Sequence, residues 1–112
     1  LRINNIVKKN KKVNLNKINK IGEAKVDLNK MLIQLKNEIS KINNAEKKVL
    51  IKMLANPGKI YSRTQIGEIS NIKQERSIDV MITRLRQKIE VKPKNPKYLQ
   101  TIRGSGYVLW IK

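Results

Sequence analysis

The sequence predicts an α+β domain in which a small N-terminal antiparallel sheet precedes three helices and a C-terminal β-hairpin. Three observations support this prediction. Short apolar clusters between polar turns come first, two helix-capping patterns and a long amphipathic segment follow, and a turn with two glycines comes last. A chain of 112 residues is long enough for one such domain with a modest core.

The predicted sheet lies within residues 21–42. The segments 25–28, 31–33 and 38–42 alternate or cluster apolar side chains between polar turns, as short strands do. Residues 1–20 contain seven basic residues and no acidic residue, which indicates a basic interdomain linker or disordered arm. We therefore place the domain at residues 21–112. Because the chain opens with Leu1 rather than Met, we expect a partner domain upstream.

The helices are predicted from their ends. Asn43 and Glu46 form a capping-box pattern that begins the first helix, and a turn at residues 56–58 ends it. A second box at residues 62–65 begins a shorter helix, and residues 70–75 form a turn. The third helix runs from about residue 74 to 91 and stops before Pro93. A short helix followed by a long helix is the helix-turn-helix arrangement, and a hairpin that pairs residues 98–102 with 107–111 is its wing.

The third helix has two distinct faces. Successive helical residues are rotated by about 100°, which defines a buried stripe of Ile78, Ile82, Leu85 and Ile89. The opposite face holds Arg76, Val80, Thr83, Arg84 and Gln87. One flank contains Ser77, Met81 and Lys88, and the other contains Asp79 and Arg86.

The outward face has the residue types that read base edges in the major groove. Arg pairs with guanine, Gln pairs with adenine, and Val or a Thr methyl contacts the thymine methyl. Val80 and Met81 either contact bases or are packing edges of the helix. Arg86 suits a phosphate or a pair within the domain. Asp79 favours the positive N-terminus of the helix or orients a nearby arginine.

The wing turn is Arg103-Gly104-Ser105-Gly106, in which two glycines allow positive φ angles and a tight hairpin. Arg103 is then at the tip, where a narrow minor groove attracts a guanidinium; the alternative is a plain turn with an exposed arginine. Thr101 and Tyr107 either donate to phosphates or pack in the sheet, and Trp110 belongs to the core or to a sheet face.

Charge restricts the classes of partner. The chain has 26 basic and 8 acidic residues, a formal charge of +18, and residues 21–112 alone hold 19 basic and 8 acidic residues. This balance implies a polyanion: DNA, RNA or an anionic membrane surface. Without Cys or His there is no disulfide and no Cys/His zinc site, and no catalytic motif is present, so we expect neither an enzyme nor a cofactor. No apolar run approaches the roughly 20 residues that span a bilayer.

Several stretches together resemble the effector domain of OmpR/PhoB-type response regulators. They are Asn43-x-x-Glu46 followed by VLIKML, Asn56-Pro57-Gly58, Ser62-Arg63, ERSIDV at 75–80, RLR-x-KIE at 84–90, and P-x-NP-x-YL-x-TIRG-x-GY at 93–107. The resemblance covers about residues 21–112. Asn43 stands where Thr is usual, and both cap well. The segment from Arg63 to Arg76 is shorter than in many members and lacks a Trp often found there.

The resemblance implies a winged helix with a four-stranded N-terminal sheet, which binds promoter DNA sequence-specifically, usually as two domains on direct repeats. It also implies an upstream receiver domain phosphorylated by a sensor histidine kinase in the bacterial cytoplasm. On matching positions, Val80, Met81, Thr83 and Arg84 would face bases, and Arg103 would enter the minor groove. Phosphates would be held by Arg76, Ser77, Arg86 and Tyr107. RNA polymerase would contact the loop Ser70, Asn71, Ile72, Lys73, Gln74 and Glu75.

Two alternatives remain open at this point. A non-specific architectural or RNA-binding domain needs only the charge and the basic arm. A membrane-surface peptide also fits the charge, but the apolar stripe of the third helix is better used in a core.

Overall fold

The structure, a computed structural model, describes residues 17–112. The first four strands are β1 (Asn19–Ile21), β2 (Ala24–Asp27), β3 (Leu32–Leu35) and β4 (Glu38–Lys41). Three helices and three further strands follow: α1 (Asn44–Ala55), β5 (Ile60–Tyr61), α2 (Arg63–Ser70), α3 (Glu75–Ile89), β6 (Leu99–Ile102) and β7 (Gly106–Leu109). The predicted α+β winged-helix architecture is therefore confirmed.

The N-terminal sheet is antiparallel with the order β1-β2-β3-β4. Val26 pairs with Ile33, and both are buried, so one face of the sheet covers the helices. The three predicted strand segments become four strands, because β1 begins at Asn19, two residues before the predicted domain boundary. The remainder of the predicted linker, residues 1–16, lies outside the described residues.

The C-terminal sheet has three strands in the order β5-β7-β6. The predicted hairpin is present, with Leu99 paired to Leu109 and Ile102 paired to Gly106. β5 was not predicted: it has two residues, too few for a periodic pattern to be seen. Its pairing of Tyr61 with Tyr107 joins the wing to the start of α2.

Both predicted capping boxes form. The Asn43 side chain accepts from the Glu46 amide at 2.8 Å, and the Asn43 amide donates to Glu46 Oε1 at 2.9 Å. Ser62 and Gln65 exchange the same two bonds at 3.1 and 2.9 Å. Each box satisfies two amides that the first helical turn leaves without partners, which fixes where α1 and α2 begin.

One core unites the helices with both sheets. It contains side chains from β1 to β3, the three helices and the hairpin, including Ile21, Val26, Ile33, Leu50, Ile66, Leu85, Leu99 and Leu109. Glu46 is also buried, at 1% exposed, and Lys88 Nζ donates to its two carboxylate oxygens at 3.0 and 3.2 Å. This pair ties α1 to α3 and thereby fixes how α3 presents its outward face.

Candidate nucleic-acid interface

α3 buries one face and exposes the other. Ile78, Ile82, Leu85 and Ile89 are at most 2% exposed, as the sequence predicts. Glu75 in the first turn, and Arg86 and Lys88 in the last, complement the helix dipole. The outward face exposes Arg76, Val80, Thr83, Arg84 and Gln87, and Ser77 is exposed beside it. No acidic residue belongs to that set, so the face that reaches solvent is cationic and rich in hydrogen-bonding groups.

Met81 does not belong to the outward face. It is 5% exposed and packs within the core cluster, whereas its neighbour Val80 is 42% exposed. The prediction of Met81 as a base-facing residue is therefore wrong in this geometry. Met81 lies only about 60° from Ile78 around the helix, and the packing of α3 in the domain is enough to cover it.

Asp79 joins three elements through one carboxylate oxygen. The Tyr107 hydroxyl on β7 donates to Asp79 Oδ1 at 2.6 Å, and Arg63 Nε at the start of α2 donates to the same oxygen at 3.0 Å. The predicted role of Asp79 in orienting a nearby arginine is confirmed, and the arginine is Arg63. Arg63 and Asp79 are both well exposed, so their attraction alone contributes modestly.

Tyr107 is a joint between the wing and α3. Its side chain is buried, at 6% exposed, and its hydroxyl is already committed to Asp79. Burial raises the pKa of the Tyr107 phenol above its ordinary value, and the hydrogen bond to Asp79 raises it further. The predicted phosphate contact of Tyr107 therefore requires a hydroxyl that the domain itself engages.

Arg86 makes a second joint between α3 and the wing. Its Nε donates to the Leu99 carbonyl at 2.7 Å and its Nη2 donates to Thr101 Oγ1 at 2.6 Å. The guanidinium also lies 5.9 Å from the centroid of the Tyr107 ring. Of the two roles predicted for Arg86, the structure contains the pair within the domain. Thr101 remains exposed beside it.

The wing turn presents Arg103 to solvent. The Ser105 amide donates to the Ile102 carbonyl at 2.9 Å and closes the turn. Gly104 has φ +79° with no atom within 4 Å of the place a Cβ would take. At Gly106, φ +142°, a Cβ would lie 2.0 Å from the Tyr61 carbonyl oxygen. The second glycine therefore lets β5 approach the hairpin, and the first serves the turn alone.

Only part of residues 70–75, the segment predicted to contact RNA polymerase, is exposed. Ser70 ends α2, is 5% exposed, and donates to the Ile66 carbonyl at 2.7 Å, so it is not available on the surface. Asn71 caps α2 in the left-handed conformation, and Ile72 is half-buried. Glu75 already begins α3. The exposed residues of the segment are Asn71, Lys73, Gln74 and Glu75.

Of the two places predicted for Trp110, the core and a sheet face, the structure excludes the core. Trp110 is 43% exposed, and its ring covers Gly58, where a Cβ would lie 3.0 Å from the indole. Sequence reasoning also assigned no role to the segment between α3 and β6, which borders the outward face of α3 through Lys92 and Lys94. The sequence feature that could have indicated a role for this segment is its run of lysines without an acidic residue.

Two negative findings concern residues 17–112. No helix there is long and apolar enough to cross a membrane. The acidic side chains of the same stretch form no group of three suited to a metal ion.

Comparison with known proteins finds a matching family and curated relatives. The family described as "Transcriptional regulatory protein, C terminal" matches residues 37–109. Protein PetR of Rhodobacter capsulatus is 32% identical over 98 residues, which cover 80% of this chain and 41% of PetR. The chain thus spans about two fifths of the length of this curated relative.

Solved structures share the fold. The response regulator DrrB of Thermotoga maritima, an OmpR/PhoB homologue, superposes with a TM-score of 0.70 at 28% identity, covering 83% of this chain and 44% of DrrB. The DNA-binding domain of Klebsiella pneumoniae RstA, solved in complex with the RstA box, has a TM-score of 0.69 at 24% identity, covering 86% of this chain and 99% of that domain.

Proposed function

Because the chain belongs to the OmpR/PhoB-type family of C-terminal domains of transcriptional regulatory proteins, we propose that it binds double-stranded promoter DNA sequence-specifically and thereby controls transcription. α3 enters the major groove in this proposal, and the wing turn enters the adjacent minor groove.

The outward face of α3 carries the proposal. Val80, Thr83, Arg84 and Gln87 are all exposed on one side of a helix whose other side is buried. Thr83 Oγ1 donates to the Asp79 carbonyl at 3.0 Å, so its methyl group is the part left for an apolar contact with thymine. Arg84 suits guanine and Gln87 suits adenine. A face of this composition supports direct reading of bases, to which Met81 does not contribute.

Phosphate contacts are assigned to groups that remain free to reach them. Arg76 and Ser77 are exposed near the start of α3, and neither side chain has a hydrogen-bond partner within residues 17–112. Thr101 is exposed on β6, where its Oγ1 accepts from Arg86 and its O–H is left to donate to a phosphate. Arg86 and Tyr107 act mainly by holding the wing against α3. Arg103 at the wing tip suits the minor groove.

The intact protein is proposed to work as a response regulator. An upstream receiver domain, phosphorylated by a sensor histidine kinase, would control pairing of two domains on direct repeats in the cytoplasm. RNA polymerase would contact the segment between α2 and α3 through its exposed residues, Asn71, Lys73, Gln74 and Glu75. The curated relative PetR is more than twice as long as this chain, which leaves room for such a domain.

The test is a selection from randomised duplexes at about 0.15 M salt, where surface charges are partly screened. Sequence-specific binding predicts an enriched motif, and tandem binding predicts a direct repeat with half-sites about one helical turn apart. The net charge of +18 favours one competing function, a non-specific basic domain that binds DNA or RNA. That function predicts no enriched motif and equal, strongly salt-dependent affinity for unrelated duplexes.

A further inference from the structure

The segment between α3 and β6 is a cationic surface without an assigned role. Residues 91–98, here called the lysine loop, contain Lys92, Lys94 and Lys97, and all three are exposed. None of them forms an ion pair within residues 17–112. The sequence from residue 91 to the last residue contains no acid. The three ammonium groups therefore have no ion-pair partner among the described residues, although Glu23 and Glu90 line a cleft beside Lys92 and Lys97.

A buried carboxylate holds the lysine loop in one conformation. Glu90 is 3% exposed and accepts from three backbone amides: Lys97 at 2.9 Å, Tyr98 at 3.0 Å and Leu99 at 2.7 Å. The Asn95 amide donates to the Lys92 carbonyl at 2.9 Å and closes a turn inside the loop. Pro93 and Pro96 restrict the backbone further. A backbone ordered before binding reduces the entropy lost on binding.

The lysine loop borders the proposed DNA-reading face. Thr83, Arg86 and Gln87 form one wall of a surface cleft, and the opposite wall is formed by Lys92, Pro93, Lys94 and Asn95. Thr83 and Gln87 are the exposed residues of the second half of the outward face. When that face lies in a major groove, the opposite wall of the cleft lies at the groove's edge, where the phosphates are. Lysine is well suited to such a site because its ammonium is a compact charge on a flexible stem.

We propose that the lysine loop is a second phosphate-binding segment, which contacts the DNA backbone beside the half of α3 that holds Thr83 and Gln87. The inference rests on the proposed function, since it needs α3 in the groove. Contacts to phosphates fix register and orientation but carry no sequence information. The lysine loop thus strengthens binding to every duplex and fixes how far the second half of α3 enters the groove.

The test compares two variants of equal net charge. One carries Lys92→Gln, Lys94→Gln and Lys97→Gln. The control carries Lys20→Gln, Lys25→Gln and Lys41→Gln, which change exposed lysines of the N-terminal sheet. Affinities for the selected duplex and for an unrelated duplex are measured by fluorescence anisotropy from about 0.05 to 0.2 M salt, and each phosphate contact contributes about 0.9 to the slope of log K against log salt.

We expect the lysine-loop variant to lose about 2–3 from the magnitude of that slope on both duplexes, while the control keeps the slope of the original chain. Equal slopes for the two variants overturn the inference, as does a loss restricted to the selected duplex. Single substitutions, each expected to remove about 0.9, decide the matter if the triple variant unfolds. If the original chain prefers no duplex, the sequence-specific function fails, while the slope comparison still decides the role of the lysine loop.

Discussion

Arg84 and Arg76 are exposed on the same helix but are assigned different tasks. Arg84→Ala is expected to cost about 1–3 kcal/mol of binding free energy and to relax the preference at one base pair, because it would remove the proposed base contact. Arg76→Ala is expected to weaken all duplexes alike and to reduce the salt slope by about 1, because it would remove the proposed phosphate contact. Binding of both variants to every single-base variant of the selected site measures the difference. Uniform weakening by Arg84→Ala would refute the base contact.

The raised pKa of Tyr107 predicts how the stability of the domain changes at alkaline pH. The folded-state pKa of Tyr107 is raised, chiefly by burial, so the neutral phenol stabilises the fold below its unfolded pKa. That contribution disappears as the pH rises through the folded pKa, so above about pH 10 the free energy of unfolding should fall.

Tyr107→Phe isolates this effect. At neutral pH the variant should lose about 0.5–1.5 kcal/mol, because Asp79 keeps Arg63 as a partner and no buried group is left unpaired. Urea unfolding of both proteins between pH 8 and pH 11 should show a smaller alkaline decline for Tyr107→Phe. Parallel declines would mean that the phenol does not titrate with unfolding.

At the scale of the element, the wing offers a matched pair of glycines. In Gly104→Ala the new Cβ contacts no other atom, so the free energy of unfolding should fall only by the cost of a left-handed alanine, about 1 kcal/mol. Gly106→Ala also places a Cβ against the Tyr61 backbone, so β5 must move, and a clearly larger loss is expected. Thermal unfolding compares them, since about 1 kcal/mol shifts the midpoint by roughly 4–8 °C in a domain of this size. Similar midpoints would show that β5 yields without cost.

The backbone amides of Lys97, Tyr98 and Leu99, at the end of the lysine loop, all donate to the carboxylate of Glu90. Glu90→Gln turns one acceptor oxygen into a donor that faces these donors, so about 1–3 kcal/mol of stability should be lost. Hydrogen exchange of the Lys97, Tyr98 and Leu99 amides should accelerate in the same variant. Glu38→Gln, an exposed change on β4, is the control and should leave both measurements unchanged. Unaltered exchange in Glu90→Gln would mean that the loop is held by other contacts.

At the scale of the whole molecule, the positive charge extends beyond the described residues. Lys8, Lys9, Lys11 and Lys12 lie outside the described residues but add to the charge of +18. Changing all four to Gln is expected to weaken binding to every duplex by the same factor and to reduce the salt slope, because only counterion release is lost. Competition between the selected and unrelated duplexes measures this. A change in the ratio of the two affinities would contradict it.

Local chemistry explains which parts of the fold the sequence predicts. The capping boxes at Asn43 and Ser62 act within three residues, so the starts of α1 and α2 can be read directly. The buried stripe of α3 follows from its period. β5 cannot be read in this way, since its two residues become a strand only by pairing with β7, more than 40 residues later.

The same distinction between local pattern and tertiary contact applies to the residues of the site. Exposure of Arg84 and Gln87 follows from angle alone, because they lie opposite the stripe. Met81 and Arg86 lie on its flanks, where tertiary neighbours decide: the core covers Met81, and Leu99 and Thr101 engage Arg86. The role of Glu90 also depends on amides that only the folded chain brings to it.

The hydrogen bonds around Asp79 hold α3 and the wing at a fixed distance from each other. Tyr107 bonds to Asp79 and Arg86 bonds to β6, so two hydrogen bonds fasten the wing to α3, and Arg63 fastens α2 to the same oxygen of Asp79. On DNA bound as proposed, the major-groove and minor-groove contacts are therefore held at one separation. One base pair inserted between the major-groove and minor-groove sites moves one site by about 3.4 Å along the DNA axis. A domain with a fixed distance between α3 and the wing then loses one of the two contacts. The domain then senses the distance between two short sequences as well as the sequences themselves.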